Sequence, residues 1–187
     1  MDVVEMHRRS LAYFAEQTSS VRQEDWSAPS GCGEWTVREL VNHVVVEDLW
    51  TAPLLEGKTI ADVGDRYDGD VLGEDPRQAY ADAAAAAAAA AGQPGAMDVT
   101  AHLSFGDVPG SEYTMQLFAD HLIHGWDLAR AVGGNDTLDP ELVSACAAWF
   151  DDREDMYRGG GAIGPRVDVE DDADPQTVLL ARFGRAS

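Results

Sequence analysis

The amino-acid sequence predicts an all-α protein, a bundle of four main helices with one small hairpin and further short helices near the C-terminus. Three observations lead to this prediction. Apolar residues recur at three- and four-residue spacing over several long segments, and capping residues, Pro and Gly bound those segments. The sequence also has no series of strand-like segments from which a parallel sheet could be built.

Two amphipathic helices are predicted in the N-terminal third. Residues 2–21 carry apolar side chains at helical spacing, and the string APSGCG then interrupts the chain. Thr36 followed by Glu39 has the form of a capping box. The second helix is therefore expected to begin there and to run through TVRELVNHVVVEDLW until Pro53 stops it.

A long loop and an alanine-rich helix are expected next. Residues 54–75 are rich in Gly and Asp, and loops of this length often form part of a functional site. Pro76 suits the first turn of a third helix, which continues through the consecutive alanines at 83–91. Alanine is the strongest helix former, and its small side chain lets a neighbouring helix approach closely.

The C-terminal half predicts a hairpin and three more helices. The string AMDVTAHLSFGDVPGS has the alternation and the Gly and Pro residues of a short hairpin. EYTMQLFADHLIHGWDLARAV predicts the longest amphipathic helix, ended by the pair Gly133 and Gly134. Helices over 140–157 and 175–183 follow. We expect a single domain over residues 1–187, with the bundle over about 1–157 and a short tail over 158–187.

Composition excludes several classes of partner. The chain has 34 acidic and 13 basic residues, a formal charge of -21, so its field repels nucleic-acid backbones and anionic lipids. No segment approaches the roughly 20 apolar residues needed to cross a bilayer. The N-terminus lacks the apolar stretch of a signal peptide, which predicts a cytoplasmic protein. Cys32 and Cys146 have no CxxC spacing, so neither a zinc ribbon nor a disulfide framework is indicated.

The longest predicted helix carries the most informative polar pattern. At about 100° per residue, Asp120, His124 and Asp127 fall on one stripe of this helix, and apolar residues occupy the opposite side. Side chains four residues apart can reach the same ion, so Asp120 and His124 are candidate metal ligands. A polar stripe is also typical of a solvated helix face, and spacing alone does not separate the two interpretations.

The second helix offers a third candidate ligand, His43. A catalytic site needs three protein ligands and an open position. Glu47 lies one turn after His43 and is expected either to orient its imidazole or to be a ligand itself. Taken alone, a single histidine such as His43 at a helix edge is more often an exposed or hydrogen-bonded residue than a metal ligand. His121 is a further candidate to approach the site, whereas His7 and His102 are expected to take no part.

Several strings resemble a known family. WTVRELVNHV, FGDVPG, HLIHGWDLARAVG and DDADPQTVLLARFGR are similar to actinobacterial metal-binding proteins related to the N-terminal domain of mycothiol-dependent maleylpyruvate isomerase, within the DinB-like helical bundles. The resemblance covers nearly the whole chain. It implies a four-helix bundle whose divalent ion, usually zinc, is held by a His of the second helix and an acidic-x-x-x-His pair of the last bundle helix. Carried over by position, the ligands are His43, Asp120 and His124.

Two features differ from the isomerase that the family includes. The isomerase resembles E-x-x-x-H at the ligand pair, whereas this chain has the shorter Asp120. The isomerase also has a C-terminal domain that helps hold its substrate, whereas only a short tail follows Tyr157 here. The resemblance therefore predicts the metal centre rather than the isomerase reaction.

The expected function follows from that centre. We expect zinc, with Ni²⁺ or Fe²⁺ as alternatives, to activate a low-molecular-weight thiol such as mycothiol for transfer to, or isomerisation of, a small electrophilic substrate. Glu47, Asp127 and His121 are expected to orient the ligands or to shuttle protons. A non-catalytic metal or small-molecule binding protein and a zinc-dependent hydrolase remain open, because all three need the same ligands. A monomer and a homodimer are both compatible with the sequence.

Overall fold

The computed structural model describes residues 1–186 and confirms the predicted all-α architecture. Strands form only a small two-stranded sheet among the described residues. The elements are, in chain order, α1 (Val3–Ser20), α2 (Val37–Leu55), α3 (Ile60–Val63), α4 (Pro76–Ala91), β1 (Thr100–Leu103), β2 (Gly106–Pro109), α5 (Gly110–Val132), α6 (Pro140–Phe150), α7 (Glu154–Gly159) and α8 (Pro175–Arg182).

The described chain forms two compact units. The first, Met1–Asp136, contains α1 to α5 and the hairpin, and the second begins at Thr137 and contains α6 to α8. In the first unit α1 packs against α5 and α2 against α4, and contacts of α1 with α4 and of α2 with α5 complete a four-helix bundle. Helix α6, which the sequence analysis grouped with the bundle, belongs to the second unit.

Side chains at the helix N-termini explain where the helices begin. The predicted capping box is present at α2, where the Thr36 hydroxyl accepts from the Glu39 N–H at 3.2 Å and the Glu39 carboxylate accepts from the Thr36 N–H at 2.8 Å. Helices α4, α6 and α8 each open on an Asp-Pro pair. Asp75, Asp139 and Asp174 cap these helices, and the prolines occupy the first turn, where no N–H is needed.

Two predicted boundaries were wrong. Helix α2 continues past Pro53 to Leu55, because a proline in the last turn removes only one helical hydrogen bond and later N–H groups bond the carbonyls of that turn. The helix predicted over 140–157 is two helices, α6 and α7. The break follows Phe150, whose carbonyl accepts from the Arg153 N–H and closes a turn.

Helix α5 is the central element of the bundle. Every residue from His121 to Ala129 is buried, so no face of this helix is exposed to solvent over that stretch. Gly125 permits close packing with α1, because a Cβ there would lie 2.7 Å from the Tyr13 ring. His124 and Asp127 of the polar stripe are therefore buried, whereas Asp120, just before this stretch, is partly exposed.

The remaining connections lie along the bundle. The predicted hairpin is confirmed, with β1 and β2 antiparallel and Thr100 opposite Pro109. The segment after α3 is fastened to α2, where the Arg38 guanidinium pairs with Asp70 at 2.8 Å and the Asn42 amide donates to the Gly69 carbonyl at 2.9 Å. None of the helices over residues 1–186 is long and apolar enough to span a membrane.

Candidate metal centre

The structure brings His43 of α2 together with Asp120 and His124 of α5. The His43 Nε2 atom lies 3.5 Å from Asp120 Oδ2, and the His124 Nε2 atom lies 3.4 Å from Asp120 Oδ1. One potential ligand atom from each residue lies within 4.8 Å of those of the other two. Two helices that are far apart in sequence therefore present two imidazole nitrogens to one carboxylate.

Asp127 fixes the orientation of the His124 ring through its second nitrogen, Nδ1. This Nδ1 atom lies 3.0 Å from a carboxylate oxygen of Asp127, one turn further along α5. Because an ionised carboxylate only accepts hydrogen bonds, Nδ1 carries the hydrogen and Nε2 is the atom directed at Asp120. Metal-binding histidines are commonly held by such a carboxylate on the second ring nitrogen. This contact places the Asp127 carboxylate on the side of the His124 ring opposite Asp120.

The electrostatics of the cluster favour positive charge between its members. Burial opposes protonation of His124, but Asp120, Asp127 and Cys32 together raise its pKa to about 10. Burial likewise opposes protonation of His43, and Asp120 nevertheless raises the pKa of this imidazole above its ordinary value. In turn, despite its burial, the pKa of Asp120 is held well below the usual range by His124 and His43. A site that stabilises imidazolium protons so strongly also attracts a cation.

The donor set fits a divalent ion. Asp120 Oδ2 is buried and has no hydrogen-bond partner, although the whole residue is partly exposed. Two imidazoles and one carboxylate are a ligand combination found in catalytic zinc sites, and they leave a further position open. The same combination suits iron and nickel. The side chains of His43 and Asp120 are each 29 % exposed, so the cluster is open to solvent on one side.

The other two neighbours expected at the site lie in different places. Glu47 is near Asp120 and His43, and its burial, with Asp120 adding to the effect, raises the pKa of its carboxyl group. His121 points away from the cluster. Its Nδ1 donates to the Leu117 carbonyl at 2.7 Å, and its Nε2 lies 3.2 Å from Asp48.

Sequence reasoning missed the segment before α2. The Trp35 ring centroid lies 5.1 Å from that of His43 and 6.2 Å from that of His124, and this side chain is 38 % exposed. A tight turn holds it there, because the Ser30 N–H and hydroxyl both donate to the Trp35 carbonyl. The turn also brings Cys32 within 4.8 Å of ligand atoms of His124. Trp35 opens the string WTVRELVNHV that carries the family resemblance, but helical periodicity does not reach across this turn and did not place either residue beside the ligands.

Comparisons with known proteins agree with this architecture. The family described as mycothiol maleylpyruvate isomerase N-terminal domain matches residues 7–129, which include most of α1, α2 to α4, the hairpin and nearly all of α5. Uncharacterized proteins from two strains of Mycobacterium tuberculosis, CDC 1551 and H37Rv, are each 36% identical to the chain over 147 residues. Each alignment covers 76% of this chain and 74% of the relative. No solved structure matches significantly.

The matched segment contains the three clustered residues and excludes the second unit. The likeness noted in the sequence strings is thus confirmed over the part of the chain that forms the bundle. The chain belongs to the family of the mycothiol maleylpyruvate isomerase N-terminal domain.

Proposed function

We propose that this protein binds one divalent ion, preferably zinc, through His43, Asp120 and His124 and uses it to activate a low-molecular-weight thiol. The thiol, mycothiol in view of the family, would be transferred to a small electrophile or would assist its isomerisation. The observation that carries the proposal is the convergence of two Nε2 atoms on one half-buried carboxylate, whose buried Oδ2 has no hydrogen-bond partner.

The chemistry needs little beyond the ligands. A divalent ion with an open position lowers the pKa of a bound thiol or water towards neutrality. Asp127 holds the Nδ1 hydrogen of His124, so that Nε2 is the nitrogen that faces Asp120 and would bind an ion in place of its own proton. Glu47, whose raised pKa favours the protonated form, is suited to hold a proton and return it next to the reacting group.

The surroundings favour an uncharged, planar electrophile. The exposed face of Trp35 beside the two imidazoles offers a flat apolar surface at the open side of the cluster. Carboxylates of Asp120 and Asp127, together with the net charge of -21, work against an anionic substrate. The preference for an uncharged, planar substrate distinguishes the proposed reaction from that of the isomerase, as does the presence of Asp120 where the isomerase has Glu.

A conjugation assay tests the proposal. Zinc-loaded protein incubated with mycothiol and chlorodinitrobenzene should form the conjugate faster than metal-free protein, and His124→Ala should lose the acceleration. His102→Ala is the matched control, because this histidine lies in the hairpin and pairs with Asp107 at 2.8 Å. If metal-free and loaded proteins conjugate at the same rate, the proposed thiol activation is wrong. An exchangeable ion with no turnover would instead support a non-catalytic metal-binding role.

A further inference from the structure

A second cluster of histidine and carboxylate side chains lies wholly inside the bundle. His7 of α1, Asp48 of α2 and His121 of α5 are 1 %, 1 % and 0 % exposed, and one potential ligand atom from each lies within 4.8 Å of the others. The cluster shares α2 and α5 with the first site but adds α1, and it includes none of His43, Asp120 or His124. Phe14 packs edge-on against His121 at 6.0 Å, so the surroundings are apolar.

The polar atoms of this cluster are unsatisfied. Both ring nitrogens of His7, both carboxylate oxygens of Asp48 and the Nε2 atom of His121 are buried without a hydrogen-bond partner. His121 Nε2 lies 3.2 Å from Asp48 Oδ1, so these two atoms attract each other when the imidazole is protonated, whereas Asp48 Oδ2 and both nitrogens of His7 have no such neighbour. Tyr80, whose hydroxyl pKa is raised by burial and by Asp48, donates instead to the Leu11 carbonyl at 2.8 Å. So many unpaired polar atoms in one core location are strongly unfavourable unless something fills the gap.

Both imidazoles are prepared to act as ligands. His121 donates its Nδ1 hydrogen to the Leu117 carbonyl, an arrangement that commonly fixes the orientation of a metal-binding histidine, and its Nε2 is directed at Asp48. His7 makes no hydrogen bond through either ring nitrogen, so its tautomer is not fixed and either nitrogen can face an ion. Asp48 neutralises one of the two charges of a divalent ion.

We propose that His7, Asp48 and His121 bind a second divalent cation, of the zinc class, in the interior of the bundle. One ion accounts at once for the orphaned carboxylate, for His121 Nε2 and for one nitrogen of His7. It also joins α1, α2 and α5 at a single buried point, so binding of the ion would stabilise the folded bundle.

The two sites must differ in how fast they exchange metal. His43 and Asp120 are each 29 % exposed, so a chelator can reach the first site directly. The second site is closed to solvent, so its ion enters during folding and leaves only when the bundle opens. This difference separates the second site from the first and also from ions held loosely by surface carboxylates.

Metal counting on the full chain tests the inference. Tag-free protein refolded with excess zinc should hold about two tightly bound ions per chain, one removed by a brief native-state chelator wash and one released only on unfolding in guanidinium. The variant His43→Gln/His124→Gln should keep only the chelator-resistant ion. The same double variant also disables the nearby cluster of Cys32, His124 and Asp127, so the retained ion is assigned unambiguously.

A complementary variant and a control complete the design. His7→Gln should lose the chelator-resistant ion and keep the labile one, whereas His102→Gln should keep both. If His7→Gln fails to fold, the ion counts of the wild-type protein and of the double variant still determine whether the second site exists. A wild-type protein that never retains an ion through the chelator wash, or a double variant that binds none, would overturn the second site and leave the first untouched.

Discussion

At the scale of single residues, Asp120 organises the candidate centre. Its two carboxylate oxygens face different imidazoles, Oδ2 towards His43 on α2 and Oδ1 towards His124 on its own helix. The short aspartate arm keeps both oxygens close to the α5 backbone, and the partner helix α2 must come near to meet them. The centre therefore depends on close helix packing as well as on the ligands themselves.

Asp127 is the residue whose role can be tested most cleanly. Asp127→Asn is isosteric and keeps an oxygen facing His124, but it removes the negative charge that strengthens the Nδ1 contact. Loss of such an orienting carboxylate weakens metal affinity about 10- to 100-fold. Zinc competition against a chromophoric chelator measures the change. Asp136→Asn, which alters an exposed partner of Arg130, is the matched control and should bind normally; equal affinities in both variants would refute the orienting role.

The sequence predicted those residues that are related by local spacing. Asp120, His124 and Asp127 lie on one helix, so their common face followed from helical geometry, and His43 was recognised through the family strings. Contacts made across elements had no such signal. Cys32 reaches the site from a turn, and periodicity does not record which turn folds over which helix.

The same limit applies to the buried cluster. His7 was expected to take no part and His121 to approach the first site, because both expectations treated each helix separately. In the structure the two imidazoles meet across the α1–α5 packing interface, with ring centroids 5.6 Å apart. Only the three-dimensional arrangement of the helices brings Asp48 of α2 to the same place.

At the scale of elements, the alanines of α4 show how composition serves packing. Ala83, Ala87 and Ala91 are buried, whereas Ala85, Ala86 and Ala89 are exposed, which is the one-sided pattern of a helix against a flat neighbour. Small side chains on the buried side let α4 lie close to α1 and α2. That closeness in turn supports α2, which carries His43 and Asp48.

A pair of identical substitutions tests this role of α4. Ala87→Leu places a large side chain at a fully buried position and should lower the free energy of unfolding by about 1–3 kcal/mol. Ala86→Leu, one residue earlier on the exposed side, should change it by less than about 0.5 kcal/mol. Urea unfolding followed by circular dichroism measures both. Equal effects at the two positions would mean that the close approach of α4 does not matter for stability.

Element boundaries were less predictable than element types. Pro53 was expected to stop α2, but a proline close to a helix end removes few backbone hydrogen bonds, and the helix continues past it to Leu55. The separation of α6 from α7 at 151–153 follows from a turn closed by backbone and side-chain contacts of Arg153, whose guanidinium donates to the Trp149 carbonyl at 2.8 Å. Hydrogen bonds that close a single turn depend on the local backbone and side-chain geometry, which the spacing of hydrophobic residues does not encode.

At the scale of the whole molecule, the net charge of -21 dominates the electrostatics. With 34 acidic and 13 basic residues, most carboxylates repel one another in the folded state more than in the expanded chain. The same surplus gives the candidate centre a negative surrounding field, which favours a cation over an anion. Stability and metal attraction are thus linked through charge.

Salt should therefore stabilise this protein. Raising sodium chloride from about 0.01 M to 0.15 M shortens the screening length from about 30 Å to 8 Å, and most of the gain should be complete there. A gain of about 1 kcal/mol corresponds to a rise in Tm of roughly 2–4 °C for a chain of this size. Differential scanning calorimetry of metal-free protein measures it. A Tm that stays constant over this range would contradict a dominant role for repulsion.

The central claim is that His43, Asp120 and His124 hold a divalent ion. The most direct measurement is the amount of chelator-labile metal released from native, tag-free protein. We predict about one labile ion per chain in the wild type and in His102→Ala, and none in His43→Ala or His124→Ala. Native protein without labile metal, or labile metal that persists in both ligand variants, would contradict the assignment.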